Sequence, residues 1–538
     1  MSAPALRTLR RVAVRVEGVV QGVGFRPFVH RIANAHALAG YVLNDSEGVL
    51  AEVEGQPADV DRFLYDLVAA APALAHVETV RVTDLAPAGR RGFAIVASPP
   101  TRDRAGARQV PVTPDCAPCA DCLRELRDPE DRRFRYPFVN CTNCGPRFTI
   151  VRGVPYDRPR TTMSAFAMCD ACQTEYDDPA DRRFHAQPNA CPACGPQARL
   201  IDPRSGEPVT SGGPPGARGD SPEAGRSADA VAAGAALLRD GRILAVKGLG
   251  GYHLACRADD EEVVARLRAR KHREDRPFAL MVADVDAARR LARLEVAAVE
   301  MLESVARPIV LAPRRERTAV AASVAPRVAE LGVMLPSTPL HHLLLDDLGD
   351  VPLVMTSGNV SDEPIAYRDE DAMSRLAPIA DAMLVHDRPI HMRADDGVVR
   401  VAAGAPLTVR RSRGHVPGAL RLPIPAPRDV LACGAELKST FCVARGGEAW
   451  VGHHLGDLRN AEVLASFVEG VAHFEDLLGV RPRVVAHDLH PDYLSTRYAL
   501  ERDGVDVVGV QHHHAHLAAC LAEHGVTDRA VGAIYDGA

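Results

Sequence analysis

The chain has 538 residues, of which 46% are hydrophobic and 25% are charged, and this composition is typical of a globular protein with about three to five domains. These values exclude a fully disordered chain, and the sequence contains no run of about 18 apolar residues that would indicate a spanning helix. The formal net charge of −6 does not favour a general binder of nucleic acids or other polyanions. Because no apolar signal core follows Met1, we expect the cytoplasm as the default location.

Residues 10–98 have the pattern of a small unit of alternating strands and helices. The strand-like segment VAVRVEG precedes a helical segment, and two strands, an amphipathic helix and closing strands follow. The order βαββαβ is that of the ferredoxin-like split arrangement, which we therefore predict for this unit.

A glycine-containing loop joins the first strand of this unit to its first helix and comprises Gln21, Gly22, Val23, Gly24 and Phe25. Successive backbone N–H groups in such a loop form a cradle for an anion, and the helix dipole adds to it. Arg26 supplies a cation that can hold a phosphate through two hydrogen bonds. An ordinary turn between a strand and a helix is the alternative interpretation.

This loop, together with Asn44 in YVLNDSEG, closely resembles the acylphosphatase family. The resemblance implies that Arg26 holds the phosphate of the substrate and that Asn44 positions the attacking water. Both residues are therefore candidate catalytic residues.

Residues 112–200 contain four CxxC pairs in two repeats at an offset of 50 residues, formed by Cys119, Cys122, Cys141, Cys144 and by Cys169, Cys172, Cys191, Cys194. Each repeat supplies four thiolates, which suffice for one closed tetrahedral zinc site. We predict two structural Zn²⁺ ions and favour one ion per repeat over an interleaved arrangement. Disulfides or redox-active pairs are the alternative, which the duplication and the expected cytosolic location disfavour. Cys116 lies outside the repeat and is expected not to be a ligand.

Residues 201–228 are rich in Gly, Pro and Ser and predict a flexible linker. Residues 229–420 then alternate helical patterns with apolar runs such as ILAVKG, FALMVA, PIVLAP and PLVMTSG. Such runs are typical of buried strands in an α/β sheet.

A set of basic and polar residues in this third unit predicts a nucleotide site; it comprises Lys247, Arg270, Lys271, Arg273, Ser357, Asn359, Arg410 and Arg413. Only three of the 64 basic residues of the chain are lysines, and two of them belong to this set. A compact ammonium group is suited to binding a phosphate. A solvated helix face and an RNA-binding surface are the alternatives. The strings around these residues closely resemble the YrdC-like domain, which implies ATP with Mg²⁺ as the bound nucleotide.

Residues 428–538 begin a further α/β pattern that includes a long helix at 460–478. His512 and His516 are separated by four residues in a helical segment and can therefore bind one divalent metal ion, whose identity the pattern leaves open. Asp536, expected at the end of the following strand, is a third candidate ligand, and a surface run of histidines is the alternative. The segment resembles the Kae1-like, actin-type ATPase fold. Because the pattern stops at a glycine turn, we expect only the first lobe of such a domain.

The order of these four modules closely resembles the HypF family of carbamoyltransferases, over essentially the whole chain. The resemblance implies a multidomain α/β and α+β protein made of a ferredoxin-like acylphosphatase domain, a duplicated zinc-binding domain, a YrdC-like domain and a Kae1-like domain. It also implies hydrolysis of carbamoyl phosphate, activation of carbamate as carbamoyl-adenylate, and transfer to the C-terminal cysteine of the partner HypE. Threonylcarbamoylation of tRNA and a non-enzymatic zinc-repeat scaffold remain alternatives, while a membrane or a nucleic acid is not an expected partner.

Overall fold

The computed structural model describes residues 9–20, 22–45, 48–72, 74–96, 112–154, 156–209, 224–360 and 363–536, with the backbone alone for 224–228. Gln21 of the predicted anion loop and residues 210–223 of the predicted linker therefore lie outside the described residues. No helix within the described ranges is both long enough and apolar enough to cross a membrane.

The first unit is one five-stranded sheet with two helices, as the βαββαβ pattern predicts. Its elements are β1 (Arg10–Val19), α1 (Phe25–Ala35), β2 (Ala39–Asp45), β3 (Gly48–Gly55), α2 (Pro57–Ala69), β4 (His76–Leu85) and β5 (Phe93–Ile95). The strand order is β4-β1-β3-β2-β5. Alternation along β1 buries Val12, Val14 and Val16 on one face, where they pack with apolar residues of both helices.

The second unit, which we call the cysteine unit, has two short helices, α3 (Ala120–Arg127) and α4 (Asp170–Asp177). Its two halves have the same backbone conformation at equivalent positions, since Asp128 and Asp178 have identical φ and ψ of −84° and 112°. Arg135 and His185, also 50 residues apart, both have positive φ. The sequence repeat is therefore a structural repeat.

The third unit is built on a ten-stranded mixed sheet. Its elements are β6 (Ala198–Ile201), α5 (Ala224–Arg239), β7 (Leu244–Lys247), β8 (Tyr252–Arg257), α6 (Glu261–Lys271), β9 (Ala279–Met281), α7 (Val285–Leu291), α8 (Val296–Glu303), β10 (Ile309–Pro313), β11 (Glu330–Met334), α9 (Pro339–Leu348), β12 (Leu353–Ser357), α10 (Asp369–Leu376), β13 (Ala382–His386), β14 (Val398–Ala402) and β15 (Ala405–Arg410). The strand order is β15-β14-β10-β11-β9-β12-β8-β7-β13-β6. The apolar runs named above form β7, β9, β10 and β12 in its interior.

Two predicted boundaries differ from the structure. Strand β6, placed at the end of the cysteine unit by the sequence, pairs with β13 and so belongs to the third sheet. The predicted linker 201–228 has regular structure at each of its two ends. Ile201 forms a β-bridge with Pro208, and α5 begins at Ala224. The spacing of the cysteines does not determine with which sheet the strand after Cys194 pairs.

The fourth unit has a four-stranded sheet of order β17-β16-β18-β19. Its elements are β16 (Leu420–Ala432), β17 (Cys442–Val451), α11 (Ala461–Leu478), β18 (Val484–Asp488), α12 (Leu494–Leu500), β19 (Asp506–Val510) and α13 (His512–Glu523). Strand β16 begins before the predicted boundary at 428 and runs through LPIPAP, where two irregularities in its pairing with β17 accommodate the prolines. The segment before Asp536 is irregular and not the strand that the sequence predicts.

The cysteine unit lies between the other units. Its Tyr136, Phe138 and Ile150 share a hydrophobic core with the third unit. Its Phe148 and Val151 share another with the fourth unit. The cysteine unit therefore packs against both the third and the fourth unit.

Candidate functional site

The eight predicted zinc ligands form two clusters, one in each repeat. We call Cys119, Cys122, Cys141 and Cys144 the first cysteine cluster, and Cys169, Cys172, Cys191 and Cys194 the second cysteine cluster. Neighbouring sulfur atoms lie 3.5–3.8 Å apart in both clusters. Four sulfurs about 2.3 Å from a central zinc would be about 3.8 Å apart, so both clusters fit a tetrahedral structural Zn²⁺. The arrangement of one site per repeat is thus confirmed, and Cys116 donates instead to the carbonyl oxygen of Pro114.

Arginines connect each cluster to the opposite repeat. Arg182 of the second repeat donates from Nη1 to Sγ of Cys122 at 3.2 Å, and Arg132 of the first repeat donates from Nη2 to Sγ of Cys172 at 3.3 Å. Each arginine also pairs with a glutamate on the helix that it approaches, Arg182 with Glu125 and Arg132 with Glu175. Arg132 and Arg182 belong to the repeated string DPxDRRF, but their crossing was not predicted.

The described part of the predicted anion loop, residues 22–25, contains two glycines in the left-handed region. Gly22 and Gly24 have φ of +70° and +75°, a conformation that residues with a side chain rarely adopt, and α1 begins at the next residue. Arg26 is half-buried, and its guanidinium makes no hydrogen bond or ion pair with any residue in the described ranges. Burial lowers the pKa of Arg26, against the opposing effect of Asp157 and Tyr176. An arginine held in this way is available to an anion.

Asn44 lies at the end of β2 and is 8% exposed. Its Oδ1 atom is buried and has no hydrogen-bond partner among the described residues. A buried amide oxygen without a partner is costly unless water or a ligand satisfies it. This observation fits the role of placing a water molecule, although that role remains a prediction.

The cysteine unit forms a wall over this loop, which sequence reasoning missed. A Cβ at Gly24 would lie 2.7 Å from Oδ1 of Asn143 and 3.0 Å from Cγ2 of Thr142, both in the turn between two zinc ligands. His185 is also close enough for Arg26 to lower its pKa, after the larger effect of burial. The glycine at position 24 is therefore required by packing as well as by φ.

Part of the predicted nucleotide set forms one cluster in the third unit. Lys271, at the end of α6, donates from Nζ to the carbonyl oxygens of Ser357 and Asn359 at 2.7 Å and to Oδ1 of Asn359 at 2.5 Å. Burial and the neighbouring Arg273 lower the pKa of Lys271 to about 7. Burial and nearby arginines, including Arg410, lower the pKa of Arg273 to about 10. Neighbouring cations that lower the pKa of Lys271 and that of Arg273 in this way fit a polyphosphate ligand.

The other three members of the set lie in different surroundings. Lys247 forms an ion pair with Asp369 at 2.6 Å, and Arg270 pairs with Asp381 at 2.8 Å. Arg413 is 3% exposed and pairs with Asp396. A phosphate would have to compete with a carboxylate at each position, as it would also at Arg410, which pairs with Asp395 at 2.9 Å, so the part of all four residues in nucleotide binding stays a prediction.

The predicted metal ligands of the fourth unit also converge. Nε2 of His512 lies 2.8 Å from Oδ2 of Asp536 and 3.2 Å from Nε2 of His516. Nδ1 of His512 contacts Oδ2 of Asp488 at 2.6 Å, which orients the ring and, as the main cause, raises the pKa of His512. The donor set of two imidazoles and one carboxylate suits a divalent transition metal, and the exposure of His516 and Asp536 leaves coordination positions open.

Comparison with known proteins gives a consistent result along the chain. A family model described as acylphosphatase matches residues 12–95, and one described as HypF finger matches 119–151 and 168–201. A model described as telomere recombination matches residues 236–412, and one described as HypF Kae1-like domain matches 425–523. Carbamoyltransferase HypF of Rhodobacter capsulatus is 49% identical over 519 residues, which cover 95% of this chain and 65% of that protein. Carbamoyltransferase HypF2 of Cupriavidus necator is 46% identical over 551 residues, with coverage of 98% and 65%.

A crystal structure of full-length HypF in a phosphate- and nucleotide-bound form matches with a TM-score of 0.87 and 41% identity, covering 99% of this chain and 67% of that chain. The chain belongs to the HypF family. It spans about two thirds of the length of the curated HypF relatives that it matches.

Membership of the HypF family confirms the predicted fold class. In HypF terms the first unit is acylphosphatase-like, the cysteine unit is the HypF finger, the third unit is YrdC-like and the fourth is Kae1-like.

Proposed function

We propose that this chain carries out carbamoyl transfer in the maturation of [NiFe]-hydrogenase, in the cytoplasm, with carbamoyl phosphate and ATP as substrates and the C-terminal cysteine of HypE as acceptor. The observation that carries the proposal is the arginine of an acylphosphatase-type loop, Arg26, which lacks a partner in the described ranges and lies under the wall of the cysteine unit. Membership of the HypF family supports the same activity.

The first step is hydrolysis of carbamoyl phosphate in the acylphosphatase-like unit. Arg26 and the N–H groups of the loop hold the phosphoryl oxygens, and Oδ1 of Asn44 accepts a hydrogen bond from the attacking water. The bond between phosphorus and the acyl oxygen breaks, which yields phosphate and carbamate. The wall formed by Asn143 and Thr142 limits the access of further water to the site.

The second step joins carbamate to ATP in the YrdC-like unit. The cluster of Lys271, Arg273 and Arg410 neutralises phosphate charge, as is needed when a carbamate oxygen attacks the α-phosphorus and pyrophosphate leaves. Mg²⁺ accompanies the nucleotide, and Ser357 and Asn359 lie beside Lys271 at the end of β12. The product is carbamoyl-adenylate.

The third step is transfer to HypE in the Kae1-like unit. His512, His516 and Asp536 would hold a divalent metal, which would supply Lewis-acid chemistry when bound. Asp488 fixes the orientation of His512 through Nδ1. The HypE thiolate attacks the carbamoyl carbon, and AMP leaves with the electron pair of the broken bond.

The test follows product release from the full chain. Arg26→Ala should abolish phosphate release from carbamoyl phosphate, and Asn44→Ala should lower its kcat more than it raises its KM. Arg31→Ala changes an exposed arginine on the same helix and should have no effect. Wild-type phosphate release in the Arg26 and Asn44 variants would reject the assignment.

A second experiment distinguishes the proposed function from threonylcarbamoylation of tRNA and from a non-enzymatic scaffold. Exchange of pyrophosphate into ATP is measured with carbamoyl phosphate, and separately with threonine and bicarbonate. The proposal requires exchange with carbamoyl phosphate alone. Exchange only with threonine and bicarbonate would instead favour threonylcarbamoylation, and no exchange with either would favour a scaffold.

A further inference from the structure

A turn of the cysteine unit faces the anion loop of the acylphosphatase-like unit. The turn consists of Thr142 and Asn143, which lie between the last two cysteines of the first cysteine cluster. The atom nearest to a Cβ placed at Gly24 is Oδ1 of Asn143, at 2.7 Å. The acylphosphatase family model matches residues 12–95 and does not include this turn. The turn therefore adds polar groups beside a site that the acylphosphatase-like unit builds from its own residues.

Arg26 faces the cysteine unit as well. Asp157 and Tyr176 are close enough to oppose the fall in pKa that burial imposes on Arg26. In turn, Arg26 lowers the pKa of His185, after the larger effect of burial. A phosphoryl group held by the loop and by Arg26 would thus lie between the two units. The acyl group of such a substrate would project out of the loop, on the side that the cysteine unit covers.

The backbone of the turn is fixed from several directions. The hydroxyl of Thr142 donates to the carbonyl oxygen of Arg182 at 2.9 Å. The carbonyl oxygen of Thr142 accepts from Nη2 of Arg147 at 2.8 Å. The backbone N–H of Asn143 donates to Sγ of Cys141 at 3.4 Å. The turn therefore presents the side chain of Asn143 from a rigid support, as a preorganised recognition group requires.

The side chain of Asn143 has no structural task in the turn. It is exposed, and neither of its polar atoms makes a hydrogen bond with a residue in the described ranges. The metal site does not require an amide here, since the second repeat has Ala193 at the equivalent position. Neighbouring sulfur atoms of the second cysteine cluster are nevertheless 3.6–3.8 Å apart. The amide of Asn143 is thus available to a ligand of the neighbouring site.

We propose that Asn143 is a specificity-determining residue of the acylphosphatase-like site, and that its Oδ1 atom accepts a hydrogen bond from the amino group of carbamoyl phosphate. This inference rests on the proposed function for the identity of the substrate. Carbamoyl phosphate and acetyl phosphate have nearly the same shape, but only the carbamoyl amino group can donate a hydrogen bond. Arg26 and Asn44 act on the phosphoryl group and on water, which both reactions share. Asn143 supplies the discrimination that these two residues do not.

The kinetic test measures kcat/KM for phosphate release from carbamoyl phosphate and from acetyl phosphate by the full chain. Asn143→Ala should lower the ratio of the two values by about 3- to 12-fold, which corresponds to one neutral hydrogen bond. The different reactivities of the two compounds cancel when this ratio is compared between wild type and variant. Thr142→Val loosens the turn and should lower both values equally. A ratio that is unchanged in Asn143→Ala would overturn the proposal.

Two further variants separate recognition from folding. Asn143→Ala should retain two Zn²⁺ ions, because Ala193 occupies the equivalent position of the second repeat. If it retains fewer, Asn143→Leu, which keeps the size of the side chain, decides the ratio. Asn143→Asp keeps an oxygen acceptor and should keep the wild-type ratio, although its charge lowers both values of kcat/KM. A ratio in Asn143→Asp as low as that in Asn143→Ala would contradict the role of Oδ1 as an acceptor.

A binding experiment separates this proposal from the proposed function. Phosphonoacetamide and acetonylphosphonate are stable analogues of carbamoyl phosphate and acetyl phosphate, and they differ in the same amino and methyl groups. By titration calorimetry, the preference of the full chain for phosphonoacetamide should fall by about 3- to 12-fold in Asn143→Ala. Arg26→Ala should abolish binding of both analogues.

The two experiments together distinguish the possible failures. A preference for phosphonoacetamide that depends on Asn143, in a chain that releases no phosphate from carbamoyl phosphate, would reject the first step of the proposed function and retain the recognition role. Hydrolysis of carbamoyl phosphate with a substrate ratio independent of Asn143 would reject the recognition role alone.

Discussion

Replacing Arg182 by glutamine should weaken zinc binding in the repeat to which Arg182 does not belong. Arg182 lies in the second repeat, but its Nη1 atom is 3.2 Å from Sγ of Cys122 in the first cysteine cluster. A zinc ion with four thiolates carries a net charge of −2, and a guanidinium bonded to one sulfur offsets part of it. The expected result is a loss of affinity at the first cysteine cluster only.

The expected loss of zinc affinity depends on two opposing interactions of Arg182, one with the thiolate of Cys122 and one with Glu125. At 3.2 Å and an effective dielectric constant of about 20, attraction between the guanidinium and one thiolate is about 5 kcal/mol. Glu125 shares the same guanidinium and offsets part of that gain, and Arg183 remains paired with Glu125 in the variant. Loss of a group that supports a metal ligand typically costs about 10–100-fold in affinity, and we expect the Arg182 variant to fall in this range.

The assay measures zinc transfer to a chromophoric chelator, followed by alkylation and peptide mapping of the cysteines that become free. Wild-type protein should release two ions at similar rates. Arg182→Gln should release one ion about 10–100-fold faster, with alkylation confined to the first cysteine cluster. Cys141→Ser, which removes a ligand, provides the limit in which one ion is lost entirely.

The mirror variant is Arg132→Gln, which should loosen the second cysteine cluster because Arg132 donates to Cys172. Arg124→Gln is the matched control, since this exposed arginine of the first repeat pairs with Asp121. Faster release from the repeat that contains the altered arginine, or from neither repeat, would refute the reasoning.

Three further predictions concern the other sites. The pKa of Lys271 is lowered to about 7 from its ordinary 10.5, so the affinity of the wild-type protein for ATP should fall as pH rises through about 7. This pH dependence should be absent in Lys271→Met. An ATP affinity of the wild-type protein that does not change with pH would contradict the prediction. Because the unfolded chain retains this proton up to about pH 10.5, the free energy of unfolding should also rise with pH between these values. Asp488→Asn should lower the affinity for Co²⁺ at His512 and His516 by about 10–100-fold, as measured by titration calorimetry. His513→Ala is the control and should leave this affinity unchanged. Equal effects of the two substitutions would contradict the role of Asp488 in orienting His512.

Patterns that are local in sequence predicted most of the fold. The alternation in β1, the apolar runs of the third sheet and the length of α11 follow from the periodicity of each segment, and the structure confirms them. The cysteine spacing likewise predicted one cluster per repeat. Where the chain leaves one unit for the next depends on long-range pairing, so the assignment of β6 to the third sheet could not be predicted.

Neighbouring residues show why the nucleotide set was only partly resolved. Arg270 and Lys271 are adjacent on α6 and so point about 100° apart. Lys271 is directed at Ser357 and Asn359, whereas Arg270 is directed at Asp381. Composition identifies both as basic, but only the packing of α6 against the sheet determines which one reaches the cluster.

The two zinc repeats have the same metal site but not the same turn between the last two ligands. The first repeat has Thr142 and Asn143 there, and the second has Pro192 and Ala193. Among the described residues, the polar turn supplies the three atoms nearest to a Cβ placed at Gly24 of the anion loop. A purely structural metal site would tolerate either turn, since neither pair contributes a ligand. The first repeat therefore adds to its cysteine cluster a contact with the anion loop, which Thr142 and Asn143 supply.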